Sequence, residues 1–277
     1  MKILIIGGSG FLGTELARRA TAAGHDTAAT YVTRPGTAAD VAWHALDVRD
    51  PARVTGVLAD VAPSVVVNAS SGGADWAVTA EGAVRVAMAV AERSCRLVHV
   101  SSDAVFSGDR SPYDETCLPD PVTPYGAAKA AAETGVRLLA PHAVVARTSL
   151  IIGAGRDLSV HERHVHDLAA GTRAGVLFTD VVRCPVHVSD LAAALLELAV
   201  SEESGVRHLG GADALSRHEL GVLIARRDGL DPSLLPTGRL TDSPLRSALD
   251  VRMDSRTTQR HLRTALRGAR EFLAGRA

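Results

Sequence analysis

Five short runs in the first part of this 277-residue chain are apolar nearly from end to end: Lys2–Ile6, Thr27–Tyr31, Ser64–Asn68, Arg96–Ser101 and Ala143–Arg147. A strand with one wet face alternates apolar and polar residues, whereas a strand apolar throughout is buried on both faces. Between these runs lie amphipathic stretches at Phe11–Ala23, Pro51–Val61, Ala77–Ser94 and Pro124–Leu139. Buried strands spaced by helices are βαβ units, so the pattern predicts an α/β fold with a doubly wound (Rossmann) parallel sheet. The length suits one large α/β domain carrying a smaller appendage.

After Gly153 the rhythm loosens. Helical patterns near Asp157–Ala170, Ser189–Val200 and Ser216–Arg227 alternate with short strand-like runs at Val176–Asp180 and Gly205–Gly210, and a basic amphipathic helix is expected over Arg256–Ala274. No linker, repeat or low-complexity tract interrupts the chain. The expected division is therefore a dinucleotide-binding domain over residues 1–153 and a smaller substrate lobe over 154–277, with later elements able to return to the main sheet. A cleft is expected at the carboxyl ends of the strands.

Composition narrows the partners. Formal net charge is −1 and aromatics make up 3%, so neither a phosphate-tracking face nor base-stacking rings point to nucleic acid. No apolar run approaches the ~18 residues of a membrane span, and the first residues read as a buried strand rather than a secretion signal. Cys95, Cys117 and Cys184 form neither a disulfide framework nor a zinc pattern, so a cytoplasmic setting is expected.

Gly7, Gly10 and Gly13 follow the first apolar run and open the first helical stretch, in the order Gly7-Gly8-Ser9-Gly10-Phe11-Leu12-Gly13. A tight strand-to-helix turn that brings backbone amides against a pyrophosphate needs residues without Cβ. The spacing alone would arise by chance roughly once in five chains this rich in glycine, but its placement between strand and helix marks a dinucleotide site. Sites that prefer NAD end the second strand on a carboxylate. Here the second strand runs into Thr30-Tyr31-Val32-Thr33-Arg34, with no acid. Arg34 is either a partner for the 2′-phosphate of NADPH or a solvated loop charge; NADPH is the preferred cofactor, with NADH as the other option. Asp47 and Val48 are candidates to cap the adenine. Asn68, Ala69 and Ser70 end a strand on the cofactor side, where Asn68 could equally be a structural hydrogen bonder.

Tyr125-Gly-Ala-Ala-Lys129 opens a helix, and its four-residue spacing puts phenol and amine on one face. The chain has 3 tyrosines and only two lysines, Lys2 and Lys129, so roughly 0.02 such pairs are expected by chance. An ammonium beside a phenol stabilises the phenolate and lowers its pKa from ~10, which suits a general acid or base. Upstream, the Arg96–Ser101 strand runs into Ser101-Ser102-Asp103-Ala104-Val105-Phe106-Ser107-Gly108, where a hydroxyl can bond the same carbonyl oxygen that the tyrosine protonates.

On these residues, together with Val66-Val67-Asn68-Ala69, Arg147-Thr148-Ser149 and Pro185–Leu191, the chain resembles the extended short-chain dehydrogenase/reductase family over nearly its whole length. Within it, the resemblance is to the dTDP-4-dehydrorhamnose reductases and their sugar-nucleotide-binding relatives. That resemblance implies a catalytic triad of Ser102, Tyr125 and Lys129, with Tyr125 protonating a carbonyl as NADPH delivers hydride. It also implies that Lys129 holds the nicotinamide ribose and that the substrate is a nucleotide-linked sugar. An epimerase of the same superfamily and a non-catalytic nucleotide-binding subunit are the alternatives, and a homodimer is possible. Asp103, Leu150 and Arg183 are the candidate substrate residues, Arg183 for a diphosphate. Thr79 stands where the family often has an asparagine. Leu150 and Ile152 stand where the reductase pattern carries tryptophan and tyrosine. His161, His164 and His166 do not share one helical face, and no metal site is read from them. His187 and Asp190 are read as capping and packing residues of the Ser189–Val200 helix.

Overall fold

A computed structural model describes residues 1–153 and 157–274, so residue 154, where the second lobe is expected to begin, lies outside the described residues. The chain divides into two compact units that do not meet at a single cut. Unit 1 contains 1–102, 124–147 and 192–207; unit 2 contains 103–123, 148–191 and 208–277.

Unit 1 is built on β1 (Lys2–Ile6), α1 (Phe11–Ala22), β2 (Asp26–Tyr31), β3 (Ala42–Ala45), α2 (Pro51–Val61), β4 (Val65–Asn68), α3 (Gly82–Ala91), β5 (Arg96–Ser102), α4 (Pro124–Leu139) and β6 (Val144–Thr148). The seven-stranded sheet runs β11-β6-β5-β4-β1-β2-β3, where β11 is Gly205–Leu209. The ladders from β3 through β2, β1 and β4 to β5 are all parallel. Leu4, Ile6, Val66, Leu97 and Val145 join α2, α3 and α4 in one core, while their neighbours Ile3, Ile5, Val67 and Val98, pointing to the opposite face, are equally buried. Burial of both faces is what the end-to-end apolar runs require, and it makes the sheet doubly wound. Strand order reverses between β1 and β4, the place where such sheets bind ligands at their carboxyl ends.

The edge strand β3 was not legible as a strand, since none of its four residues is fully buried. The expected helix over Ala77–Ser94 is in two parts. Ala77–Glu81 is a wide π-type turn and the regular helix starts only at Gly82. Thr79, inside that turn, accepts from the Gly72 amide at 3.0 Å and donates to the Gly73 carbonyl at 2.8 Å, ahead of the helix proper.

Unit 2 carries short strand pairs around β7 (Ile151–Ile152), α5 (Val160–Ala169), β8 (Leu177–Phe178), β9 (Val182–Arg183), β10 (Val186–His187), β12 (Leu215–Ser216), α7 (Arg217–Arg227) and β13 (Thr237–Gly238), while α6 (Val188–Ala199) begins among its residues and ends among those of unit 1. Its core joins Ile152, Val165, Leu168, Leu177, Leu220 and Ile224. Both α5 and α7 start with reciprocal capping boxes, Ser159 with Glu162 and Ser216 with Glu219. The expected Arg256–Ala274 helix is not formed. Only α8 (Arg256–Gln259) and α9 (Ala269–Phe272) are helical. Between them the Gln259 side chain donates to the Thr264 carbonyl at 2.8 Å and accepts from the Leu266 amide at 2.9 Å, replacing the helical ladder with a closed loop. Gly268 then passes so close to Asp213 that a Cβ there would lie 2.5 Å from its carboxylate.

Candidate functional site

The loop after β1 has the geometry its glycines predict. Gly7 has φ +81, in the left-handed region, and a Cβ there would lie 2.9 Å from the Ser70 amide of the loop after β4. Gly13 sits over the turn, where a Cβ would be 2.1 Å from the Gly7 carbonyl. Gly10 is the N-cap of α1 and supplies no side-chain cap, so the first-turn amides that a helix cannot pair internally stay available to a ligand. Thr30 holds the loop from β2, accepting the Gly7 amide at 3.0 Å.

A cavity of about 660 Å³ opens at this switch point, and Gly7, Ser9, Gly10, Arg34, Asp47, Val48, Ala69 and Ser70 all line it. The sequence-derived cofactor residues are thus gathered in one place, with exceptions. Leu12 is buried and Phe11 half-buried in α1, Gly13 supports the loop from behind, and Asn68 lies beneath the floor. Asn68 acts as a strand-end organiser. Its Oδ1 accepts from the Ser70 amide and hydroxyl at 3.1 and 2.6 Å, which turns its amide nitrogen toward His99 Nδ1 at 3.4 Å. The Asp47 carboxylate is taken by Arg49, through Nε at 3.0 Å and Nη2 at 2.6 Å, and those hydrogen bonds hold its pKa below the usual range. Arg34 is exposed and makes no hydrogen bond or ion pair among the described residues.

Tyr125 and Lys129 lie one turn apart on α4, the phenol half-buried and the amine only 3% exposed. Lys129 Nζ donates to the Val100 carbonyl at 2.9 Å, two residues before Ser102 at the end of β5. Helix and strand end are therefore joined at the amine. Burial pushes the Lys129 pKa down to about 8, against the Glu133 carboxylate one turn further on, which pulls it up. Because about 8 is still above neutrality, this amine remains largely ammonium at neutral pH.

Glu133, which the sequence reading did not single out, anchors a buried network. Its carboxylate receives Arg147 at 3.0 Å (Nε to Oε1) and 2.8 Å (Nη2 to Oε2), and Ser101 Oγ at 2.6 Å. Arg147 and Glu133 are 1% and 2% exposed. The spacing carried a signal, since Glu133 continues the Tyr125, Lys129 face by another four residues. His99 is also buried, and its pKa falls to about 3 through burial and the nearby Lys129 charge. Because Asn68 donates to Nδ1, the ring proton sits on Nε2, a buried atom with no partner among the described residues.

The candidate substrate residues belong to unit 2. Asp103 Oδ2 accepts from Ser149 Oγ at 2.6 Å and lies 3.7 Å from Arg183 Nε. Arg183 is turned into its own chain, with Nη1 on the Val182 and Leu249 carbonyls at 2.7 and 3.1 Å and Nη2 on Ala248 at 2.8 Å. Leu150 packs partly buried against the unit 2 core, and Ile152 is fully inside it. The histidines of α5 separate: His166 meets Asp228 at 2.7 Å, a carboxylate partner the sequence did not reveal, while His161 contacts Arg217 at 3.4 Å. His187 packs on Phe272 and Asp190 pairs with Arg267 at 2.9 Å, which are packing and tethering roles. Among the described residues no helix is long and apolar enough to cross a membrane.

Residues 1–274 match the family described as the RmlD substrate binding domain. A dTDP-4-dehydrorhamnose reductase of Mycobacterium tuberculosis is 31% identical, over 83% of this chain and 77% of its own. A dTDP-4-keto-6-deoxy-D-glucose reductase of Streptomyces niveus is 30% identical, over 95% of this chain and 94% of its own. The solved structure of a dTDP-4-dehydrorhamnose reductase from Bacillus anthracis, in complex with NADP, shares the fold at a TM-score of 0.82 and 21% identity, covering 98% of this chain and 96% of that one.

Proposed function

Because the chain belongs to the RmlD substrate-binding-domain family, we propose that it is an NAD(P)-dependent oxidoreductase that reduces the keto group of a dTDP-4-keto-6-deoxy sugar, with NADPH as the reductant. One observation carries the reading. Lys129 is buried one turn along α4 from Tyr125, with its amine tied to the strand that ends at Ser102.

The residues present fit a dinucleotide. The Gly7 and Gly13 contacts leave no room for a Cβ, the first-turn amides of α1 lack a side-chain cap, and the cavity of about 660 Å³ lies directly beside them. When bound, NADPH supplies the hydride. Gly10 and the amides that follow it take the pyrophosphate at the positive end of the helix. Arg34, with its guanidinium unengaged at the cavity edge and no acid beside it on the loop after β2, takes the 2′-phosphate.

At the substrate carbonyl, the Tyr125 hydroxyl gives its proton to the oxygen as the carbon is reduced. The Ser102 hydroxyl donates to the same oxygen and fixes its position. Of the three Lys129 protons one is held by Val100, leaving two to steady the developing phenolate and the cofactor ribose. Glu133 sustains the ammonium form against burial, and its carboxylate is paired with Arg147 at 2.8 Å.

The test follows reduced-nicotinamide absorbance with a panel of dTDP-4-keto-6-deoxy sugars. Oxidation is expected with at least one of them, and Tyr125→Phe is expected to lower kcat by about 10²–10⁴-fold. Tight NADPH binding with no NADPH oxidation in the presence of any sugar would overturn the reductase reading. Sugar isomerisation without net oxidation would replace it with epimerisation.

A further inference from the structure

The segment that follows β4 forms one wall of the dinucleotide cavity, and a single hydroxyl ties it from the inside. Ser70, Ser71, Gly72, Asp75 and Val78 line the cavity. The wall begins against the glycine turn, where a Cβ on Gly7 would lie 2.9 Å from the Ser70 amide. It leads toward the adenine candidate Val48, whose Cγ2 would lie 2.6 Å from a Cβ on Gly82. Residues 71–76 are all exposed, so the hydrophobic core does little to fix their path.

Thr79 supplies what the core does not. Its side chain is buried, and Oγ1 accepts from the Gly72 amide at 3.0 Å while donating to the Gly73 carbonyl at 2.8 Å. A hydroxyl carries one proton and two lone pairs, so one group can hold neighbouring peptide units of the same loop. Backbone bonds close the rest, from the Asp75 amide to the Gly72 carbonyl at 3.1 Å and from the Thr79 amide to the Asp75 carbonyl at 2.9 Å. Gly73 takes φ +62, which a residue without Cβ adopts freely. The wide turn belongs to the same device. The Gly82 amide reaches back to the Ala77 carbonyl, and Arg85 Nη1 joins that carbonyl at 3.2 Å. Turns of this kind are rare and concentrate at functional sites.

We infer that Thr79 is a positioning residue for the dinucleotide: through Gly72 and Gly73 it presets the cavity wall that faces the adenosine half, and it acts on affinity rather than on the chemical step. A loop already held in its binding shape loses less conformational freedom when the ligand arrives. The inference rests on a dinucleotide occupying the cavity and is independent of the sugar and of its reduction.

The experiment is calorimetric titration of the full chain with NADP⁺ and with adenosine 2′,5′-bisphosphate, the adenosine half alone, for wild type, Thr79→Val, Thr79→Ser and Gly73→Ala. Thr79→Val keeps the shape and removes the hydroxyl, and is expected to weaken both ligands by the same factor of about ten, with KM for NADPH rising alongside. Thr79→Ser keeps the hydroxyl and is expected to bind both within about twofold of wild type. Gly73→Ala puts a Cβ into open space, so it strains only the backbone. It is expected to weaken both ligands as well, and it decides the matter if Thr79→Val does not fold. Unchanged affinity in Thr79→Val, with or without a lowered melting temperature, would overturn the proposal and leave Thr79 a structural residue. A loss confined to NADP⁺, with the bisphosphate bound as before, would overturn the assignment to the adenosine half. A fall in kcat at saturating NADPH while both affinities hold would overturn it in favour of a part in the chemical step. If wild type binds neither ligand, the dinucleotide reading falls and the inference with it.

Discussion

Unit 1 and unit 2 each bury arginine, and they treat its charge in opposite ways. In unit 1, Arg147 is 1% exposed and meets a carboxylate that also takes Ser101, so charge is matched inside the chain. In unit 2, Arg183 and Arg217 share the influence of Asp103, and Arg217 has no ion-pair partner among the described residues. A buried pair that is closed on itself holds a framework in place. An arginine without an acid partner adds no such tie. The same contrast runs through the cofactor cavity, where Asp47 is closed by Arg49 and Arg34 is left open at the edge.

The contrast is sharpest under truncation of the acid in unit 1. Glu133→Gln leaves Arg147 buried without its counter-charge and is expected to cost about 3–5 kcal/mol in denaturant unfolding. Glu133→Leu combined with Arg147→Met should recover most of that loss, because a matched apolar pair removes both desolvation penalties. If Glu133→Gln were as stable as wild type, the closed network would carry no structural weight and the comparison with Arg217 would collapse.

Lys129 gives a pH test of comparable size. Its folded pKa is lowered from 10.5 to about 8, so the folded state binds the proton less tightly than the unfolded one. Below pH 8 both states are protonated and the penalty is present in full. Between pH 8 and 10.5 only the unfolded chain stays protonated, so this group makes stability rise with pH, by about 3 kcal/mol across the window. Lys129→Met is expected to remove that rise, read from urea midpoints measured at several pH values. A profile identical to wild type would show that the amine is not desolvated.

The smallest expected effect belongs to the exposed member of the open set. Arg34→Ala should raise KM for NADPH by about tenfold, the worth of one charge-assisted contact of ~1.4 kcal/mol, with KM for NADH little changed. Equal losses for both cofactors would assign Arg34 to the loop's shape instead of to the 2′-phosphate.

Where the hydrophobic pattern was strong, the elements were readable to the residue. Lys2–Ile6 and Pro124–Leu139 have the observed ends. The loop of Gly7, Gly10 and Gly13 was readable because a missing Cβ is a property of the residue itself, and the tight contacts at Gly7 and Gly13 are its consequence. Strand β3 was missed because an edge strand of Ala42, Trp43, His44 and Ala45 has no apolar run to announce it. The Arg256–Ala274 helix was expected from leucine spacing, which cannot register that Gln259 closes a loop through its own side chain. The backbone contacts of Arg183 were hidden for a related reason. Arg183 stands in an apolar run and Arg217 at a helix start, and only folding reveals that Leu249 and Ala248 supply carbonyls to the first.

By itself the sequence determined the period of burial, the turn that only glycine can make, and the helical face shared by Tyr125, Lys129 and Glu133. Each of these depends on residues within a few positions of one another, where covalent geometry dictates the outcome. The tertiary structure decided which charges are matched and which are left open. Glu133 meets Arg147 from a different element, Asn68 meets His99 across two strands, and Arg217 meets no acid at all among the described residues. Electrostatic partnership is a matter of distance and solvent exclusion between segments remote in sequence, so it comes into being only when the chain has packed.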